Sequence, residues 1–298
     1  MTAGTAAGLS WSVALHLGQV SNLPTVWSNV LVGMVIAGAS PADLRLPLLL
    51  AALSAAYVGG MFLNDWFDRH IDARQRPDRP IPSREVDASV VLATGLGLLA
   101  SALVLLAWAG YGFAGGTGWR PVAAGVALAG AIVFYDWHHK GNVLSPVVMG
   151  VCRMLVYLTA GFAVSADPPA LLYVAALLML AYLIGLTYTA KREHLNELGS
   201  QWPLLCLAVP ALYGAWAAFA APVVWVFLAL FVAWVAHSLR LLVRRAAGDV
   251  PRAVVSLIAG ISLLDAMLLS AVGAPGAALA AVAAFGLTLA LQRRVAGT

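Results

Sequence analysis

Ten apolar runs follow one another along the chain, at 13–38, 46–66, 88–112, 120–137, 143–165, 169–190, 203–219, 222–243, 251–272 and 275–293. A helix crosses the hydrocarbon of a bilayer in about 17–25 residues. Each run is therefore long enough to span, with the fourth, seventh and tenth the weakest. If Gly273–Gly276 is a kink rather than a turn, the last two merge and nine remain. Only 10% of the residues are charged and the mean hydropathy is +0.89, whereas a soluble domain carries roughly 25% charge. So few charges cannot cover a water-facing surface. The expected fold is all-α: a polytopic transmembrane bundle of nine or ten spans, forming one domain over residues 1–298. The start, MTAGTAAGLS, has no basic segment and no clear cleavage site, so a signal peptide is not expected.

The net charge of +4 does not point to nucleic acid, because the basic residues sit in loops between the runs, where they set topology. Fourteen of the 17 lie in the even-numbered loops, at the span ends beside them and in the tail, from Arg69 to Arg294. The odd-numbered loops hold only Arg45 and Arg120, and Arg153 lies inside a run. That bias places both termini and the even loops in the cytoplasm. Most tryptophans fall near span ends, as an interfacial belt would. Cys152 and Cys206 are isolated, with no CxxC, so neither zinc nor a disulfide is expected.

The second run ends in a burst of acids, YVGGMFLNDWFDRHIDARQRPDRPIPSREVD over Tyr57–Asp87. If the helix continues past Asn64, then Asn64, Asp65, Asp68 and Asp72 share an arc of about 100°. Four oxygen donors so close repel one another unless a cation sits among them. Mg²⁺ takes such donors, usually a few carboxylates together with substrate phosphates. The plainer reading is a solvated helix end leaving the bilayer. Gly59–Gly60, one turn earlier, allows close approach of a helix or of a substrate tail.

A second polar cluster closes the sixth run, TYTAKREHLNELGSQW. There Glu193, Asn196, Glu197 and Ser200 again share about 100° of arc, preceded by Lys191 and Arg192. Two facing acidic ends can clamp a diphosphate through metal ions; an ordinary charged loop is the alternative. Between them lies FYDWHHKGNVLSP. Lys140 can donate to phosphate, and Tyr135 can offer a hydroxyl or a ring face. Asp136 can accept a proton or cap the span. His138 and His139 are adjacent and face different ways, which argues against a metal role. Asn29, inside the first run, needs a partner, either the diphosphate or a neighbouring helix. Asp265, inside the ninth, must pair or stay protonated, with Arg153 and His237 as available partners.

These residues resemble those of a known family. NDxxDxxxD at Asn64–Asp72, followed by RPIPS at Arg79–Ser83, looks like the first signature of the UbiA superfamily of intramembrane prenyltransferases. SNLPTVWSNVLVG at Ser21–Gly33 resembles its first helix, and Tyr135 with Lys140 its third polar segment. The resemblance implies about nine spans around a cavity open sideways to lipid, with two acidic sites that bind Mg²⁺ and a prenyl diphosphate. Asn64, Asp65, Asp68 and Asp72 would then be metal ligands. Glu193 and Glu197 stand where the family usually has DxxxD, and Gln19 where it often has a basic residue. The KREHLNE and YDWHHKGN segments look like those of a divergent branch, EboC-like.

The expected activity is Mg²⁺-dependent transfer of a prenyl group from its diphosphate to a small acceptor, in a bacterial-type cell membrane. Asp68 and Asp136 would be catalytic. Asn29, Arg79, Tyr135, Lys140, Lys191 and Arg192 would bind substrate. The alternatives are a carrier that binds a polyprenyl phosphate without cleaving it, and a small-molecule transporter built from two four-span halves.

Overall fold

The computed structural model describes residues 8–40, 42–191 and 202–295. In lipid every backbone amide must be satisfied within the protein, and helices of apolar sequence do this locally. Eleven α-helices and two short 3-10 turns result among the described residues, and no strand. They are α1 Trp11–Leu17, α2 Leu23–Ile36, α3 Arg45–Gln75, α4 Ala88–Tyr111, α5 Arg120–His138, α6 Ser145–Val164, α7 Ala170–Lys191, α8 Ala208–Ala220, α9 Val224–Arg244, α10 Asp249–Ala271 and α11 Pro275–Gln292. Each of the ten apolar runs is helical. Seven helices, α3, α4, α6, α7, α9, α10 and α11, are long and apolar enough to cross a membrane. The protein is an integral, multi-pass membrane protein.

Two of the remaining runs, the first and the seventh, are not single long helices. The first is broken. α1 stops at Gly18, Gln19 takes a left-handed conformation (φ 42°), and a 3-10 turn leads into α2, with Pro24 in its first turn. The 14 residues of α2 reach only about 21 Å, short of a roughly 30 Å hydrocarbon core. The seventh run is a 3-10 turn, Trp202–Leu207, followed by the 13 residues of α8. The last two runs do not merge: Gly273, at φ 73°, ends α10 before Pro275 opens α11.

α3 is the opposite case. Its 31 residues extend about 46 Å, so the helix carries Asn64 through Asp72 beyond the apolar stretch without a break. α2 lies at the centre, packed on α3, α6, α10 and α11. α10 is the most enclosed of the long helices. Two apolar cores meet along α2 and α6. One contains Tyr157, Tyr182, Phe231 and Met267, the other Val30, Leu53, Leu63 and Leu106. Outside them, Val13, Leu17, Phe62, Val86 and Val91 pin α1 and the loop after α3 against α3. At the other end of α3, Arg45 donates to Asp43 and to the Ala163 carbonyl, joining the start of α3 to the end of α6. The Arg45 guanidinium holds the Asp43 carboxyl below the usual carboxylate range.

Small residues set the helix spacing. Gly59 lies against the Gly95 carbonyl of α4 and Gly60 against Ile132 of α5, so this pair serves helix packing. Gly33 is tighter. A Cβ there would sit 2.4 Å from the Tyr157 carbonyl oxygen and 2.8 Å from Ala160 Cβ, both on α6. Backbone cannot step aside as a side chain can. Gly33→Ala is expected to cost about 1–3 kcal/mol, read as a lower melting temperature in detergent. An unchanged melt would show that α2 and α6 do not meet there.

Candidate active site

The acid face of α3 faces the end of α5, where the sequence FYDWHHK turns from apolar to polar. Asn64 Nδ2 donates to Asp136 Oδ1 at 3.0 Å. Lys140 Nζ lies 2.9 Å from Asp68 Oδ2, and His139 Nε2 lies 3.5 Å from the same oxygen. Arg79, in the loop after α3, reaches Asp65 Oδ1 at 3.3 Å. Asp68, Asp72 and Asp136 are buried. The structure thus brings together Asn64, Asp65, Asp68, Arg79, Asp136 and Lys140 from two helices and the loops that follow them. Tyr135 joins them through His139, on whose ring it stacks with centroids 4.9 Å apart. Asp72 is on the same helix one turn past Asp68. Lys191 is the last residue of α7. Arg192, Glu193 and Glu197 lie outside the described residues.

His139 is a contact that the sequence did not single out. The two histidines do face different ways: His138 turns toward Phe134 and Trp137, while His139 turns inward to Asp68. The signal was the spacing Tyr135-x3-His139, which stacks two rings on one helix face.

Asn29 sits elsewhere, in a buried polar cluster between α2, α6 and α10. Its Nδ2 donates to Asp265 Oδ2 at 2.8 Å and its Oδ1 accepts from Arg153 at 3.0 Å. The Tyr157 hydroxyl donates to the other oxygen of Asp265. Asp265 is therefore satisfied from α2 and α6, and Arg153 reaches it through Asn29. His237 instead stacks on Trp234.

The donor set suits a divalent cation. Its ligands are hard oxygens from one amide and several carboxylates, the chemistry Mg²⁺ accepts. Beside them, Asp136 Oδ2 is buried and has no hydrogen-bond partner. Among the described residues no three acidic, imidazole or thiol side chains converge closely enough to hold an ion by themselves.

One opening adjoins this frame, and a second lies toward the start of α3. A cleft of about 430 Å³ lies between α1 and the loop after α3, with Asp65 and Arg79 in its wall. A groove of about 770 Å³, almost wholly apolar, runs between α2, the start of α3 and α11, lined by residues such as Trp27, Leu31, Leu50 and Leu287.

A helical membrane bundle with an acid-rich helix end facing a lysine, a histidine and an arginine defines an intramembrane protein with a charged site at a helix end. Within that class the chain belongs to the UbiA prenyltransferase family, whose model matches residues 26–247. It is 32% identical over 197 residues to digeranylgeranylglyceryl phosphate synthase of Methanopyrus kandleri, covering 62% of each chain. It is 33% identical over 138 residues to the chloroplastic chlorophyll synthase of Avena sativa, covering 42% of this chain and 34% of that one. The chain thus spans less than two thirds of the length of these relatives. Its fold is similar to a structure described for the biosynthesis of digeranylgeranylglyceryl phosphate synthase in membranes, with TM-score 0.61, 18% identity, and 88% and 98% of the two chains covered. It also resembles the apo structure of a UbiA homolog from Aeropyrum pernix, with TM-score 0.50, 16% identity, and 91% and 95% covered.

Proposed function

We propose that the protein, acting as one domain, transfers a prenyl group from a prenyl diphosphate to a small acceptor within the membrane. The observation that carries this is the pairing of the α3 acid face with Lys140 and Arg79. Lys140 and Arg79 donate to the phosphate oxygens, and Lys191 and Arg192 add positive charge around them. Magnesium would be held by Asn64, Asp65, Asp68 and Asp72, with Glu193 and Glu197 as further ligands, and when bound it would neutralise charge growing on the departing diphosphate. The allylic C–O bond breaks and its electron pair leaves with the diphosphate. Tyr135 and the stacked His139 present ring faces near the allylic carbon. The acceptor forms the new bond and gives up its proton to Asp136, whose Oδ2 has no other partner. The tail rests in the groove between α2, α3 and α11. The concentration of basic residues at one end of the bundle supports a cytoplasmic site in a bacterial-type membrane.

The test is diphosphate release from geranylgeranyl diphosphate by purified protein, with Mg²⁺ and with EDTA. Wild type is expected to release diphosphate only with the metal. Asp68→Asn is expected to lose about 10²–10³-fold of that rate, the scale of removing one charge-stabilising group. Binding without release would indicate a carrier instead.

A further inference from the structure

Away from the acid face, the ends of α9 and α11 and the start of α10 carry six arginines, Arg240, Arg244, Arg245, Arg252, Arg293 and Arg294, and no lysine. All of them are exposed. The three ends are fastened to one another. Asp249, the first residue of α10, accepts from Arg244 at 2.7 Å through each carboxylate oxygen and lies 4.0 Å from Arg252. Gln292, the last residue of α11, donates to the Val255 carbonyl of α10 at 3.4 Å. Trp234 of α9 donates to the Ser256 carbonyl of α10 and packs edge-on against Phe285 of α11, with centroids 4.8 Å apart. The arginines therefore emerge from one small area.

That area is not neutralised. Asp249 is the only acid at these ends, and it is buried. Among the described residues, the side chains of Arg240, Arg245, Arg293 and Arg294 have no hydrogen bond or ion pair. The loop after α3 differs, since Asp78, Glu85 and Asp87 are interspersed there with its arginines. Topology asks for basic residues on one side of a membrane. It does not ask for two further features. Arg245 ends α9 in a left-handed conformation (φ 53°, ψ 29°), at a position where glycine is favoured. Arg252 lies in the first turn of α10, where the helix dipole favours an anion over a cation. Both destabilise the free protein, and a bound anion offsets both.

The surroundings restrict what that anion is. A guanidinium fork pairs with two phosphate oxygens at once. Val226 and Leu230, both exposed, share with Arg240 and Arg244 one face of α9, about 80° wide. A ligand there places phosphate at the arginines and hydrocarbon along the helix. We infer that these three helix ends bind an anionic phospholipid of the surrounding membrane, with its phosphate among Arg245, Arg252 and Arg294 and its chains along α9. The site is separate from the acid face of α3, so it stands whether or not the chain transfers a prenyl group.

Native mass spectrometry of the full chain in detergent tests it, with dioctanoyl phosphatidylglycerol and dioctanoyl phosphatidylcholine as probes. One basic residue near a membrane surface changes affinity for anionic lipid by about fivefold. Wild type is expected to bind the phosphatidylglycerol at least about tenfold more tightly than the phosphatidylcholine. Arg252→Gln with Arg294→Gln is expected to bring the two lipids close to equal affinity. Arg74→Gln with Arg84→Gln removes the same charge from the loop after α3, and is expected to leave the preference within about twofold of wild type. Arg245→Gly is expected to raise the melting temperature without lipid, by relieving the left-handed turn, and to weaken phosphatidylglycerol by about fivefold. Glycerol 1-phosphate lacks the chains, and is expected to compete only at concentrations at least about a hundredfold higher. Each of four results overturns the inference. They are equal affinities in wild type, the same loss in both double variants, unchanged phosphatidylglycerol binding by Arg245→Gly, or glycerol 1-phosphate competing as well as the lipid, which would mark a site for soluble phosphate.

Discussion

Asp265→Ala is expected to destabilise the bundle by about 3–5 kcal/mol, the range for removing one partner from a buried charge cluster. Asp265 is fully buried in α10, the most enclosed of the long helices. Its carboxylate receives Asn29 and Tyr157, and Asn29 in turn receives Arg153. The three helices α2, α6 and α10 thus share one polar knot. Deleting the carboxylate leaves the Arg153 charge in an apolar interior, facing only an amide oxygen and the ring of Tyr57 at 5.4 Å. The double variant Asp265→Leu with Arg153→Met removes both charges and is expected to recover much of the loss. A double-mutant cycle on thermal melts in detergent measures this coupling. Additive losses, or a single-variant loss under about 1 kcal/mol, would mean that the cluster does not act as a unit.

Lys140→Met is expected to move two affinities in opposite directions. In the structure Lys140 neutralises Asp68 at 2.9 Å, so it competes with any cation for that oxygen. Its side chain is 40% exposed, and a pair so open is worth only about 0.2–1 kcal/mol. Removing it should therefore tighten Mn²⁺ binding without substrate by about two- to fivefold, followed by electron paramagnetic resonance. The same change removes a donor to phosphate. Charge-assisted hydrogen bonds contribute about 1.5–3 kcal/mol, so inorganic diphosphate should bind about tenfold more weakly or worse by calorimetry. Both affinities falling together would indicate that Lys140 orders the site rather than exchanging partners.

How much of this the sequence disclosed depends on the range of the contact. The acid face was legible because all four residues lie on one helix, and helical periodicity carries across the membrane boundary. The break in the first run was less so. Hydropathy averages over Gly18, Gln19 and Pro24, although a proline in the first turn marks a helix start. For the same reason the seventh run looked like a span when it is a 3-10 turn and 13 residues of α8. Asn29 shows the harder limit. Its need for a partner could be read from an amide among apolar residues. The partner itself, Asp265, is 236 positions away and was fixed only by packing. The cation on Asp68 was equally hidden, since it depends on how the ends of α3 and α5 cross.

The continuity of α3 has a consequence for the lipid environment. The helix that packs Leu49 and Leu53 into the core of the bundle is the same rod that carries Asp68 and Asp72, with no hinge between. A membrane of different thickness is accommodated by tilting such a rod. Any tilt swings the carboxylates relative to Lys140, just past the end of α5. Bilayer thickness is in this way geared mechanically to the aim of the head-group ligands.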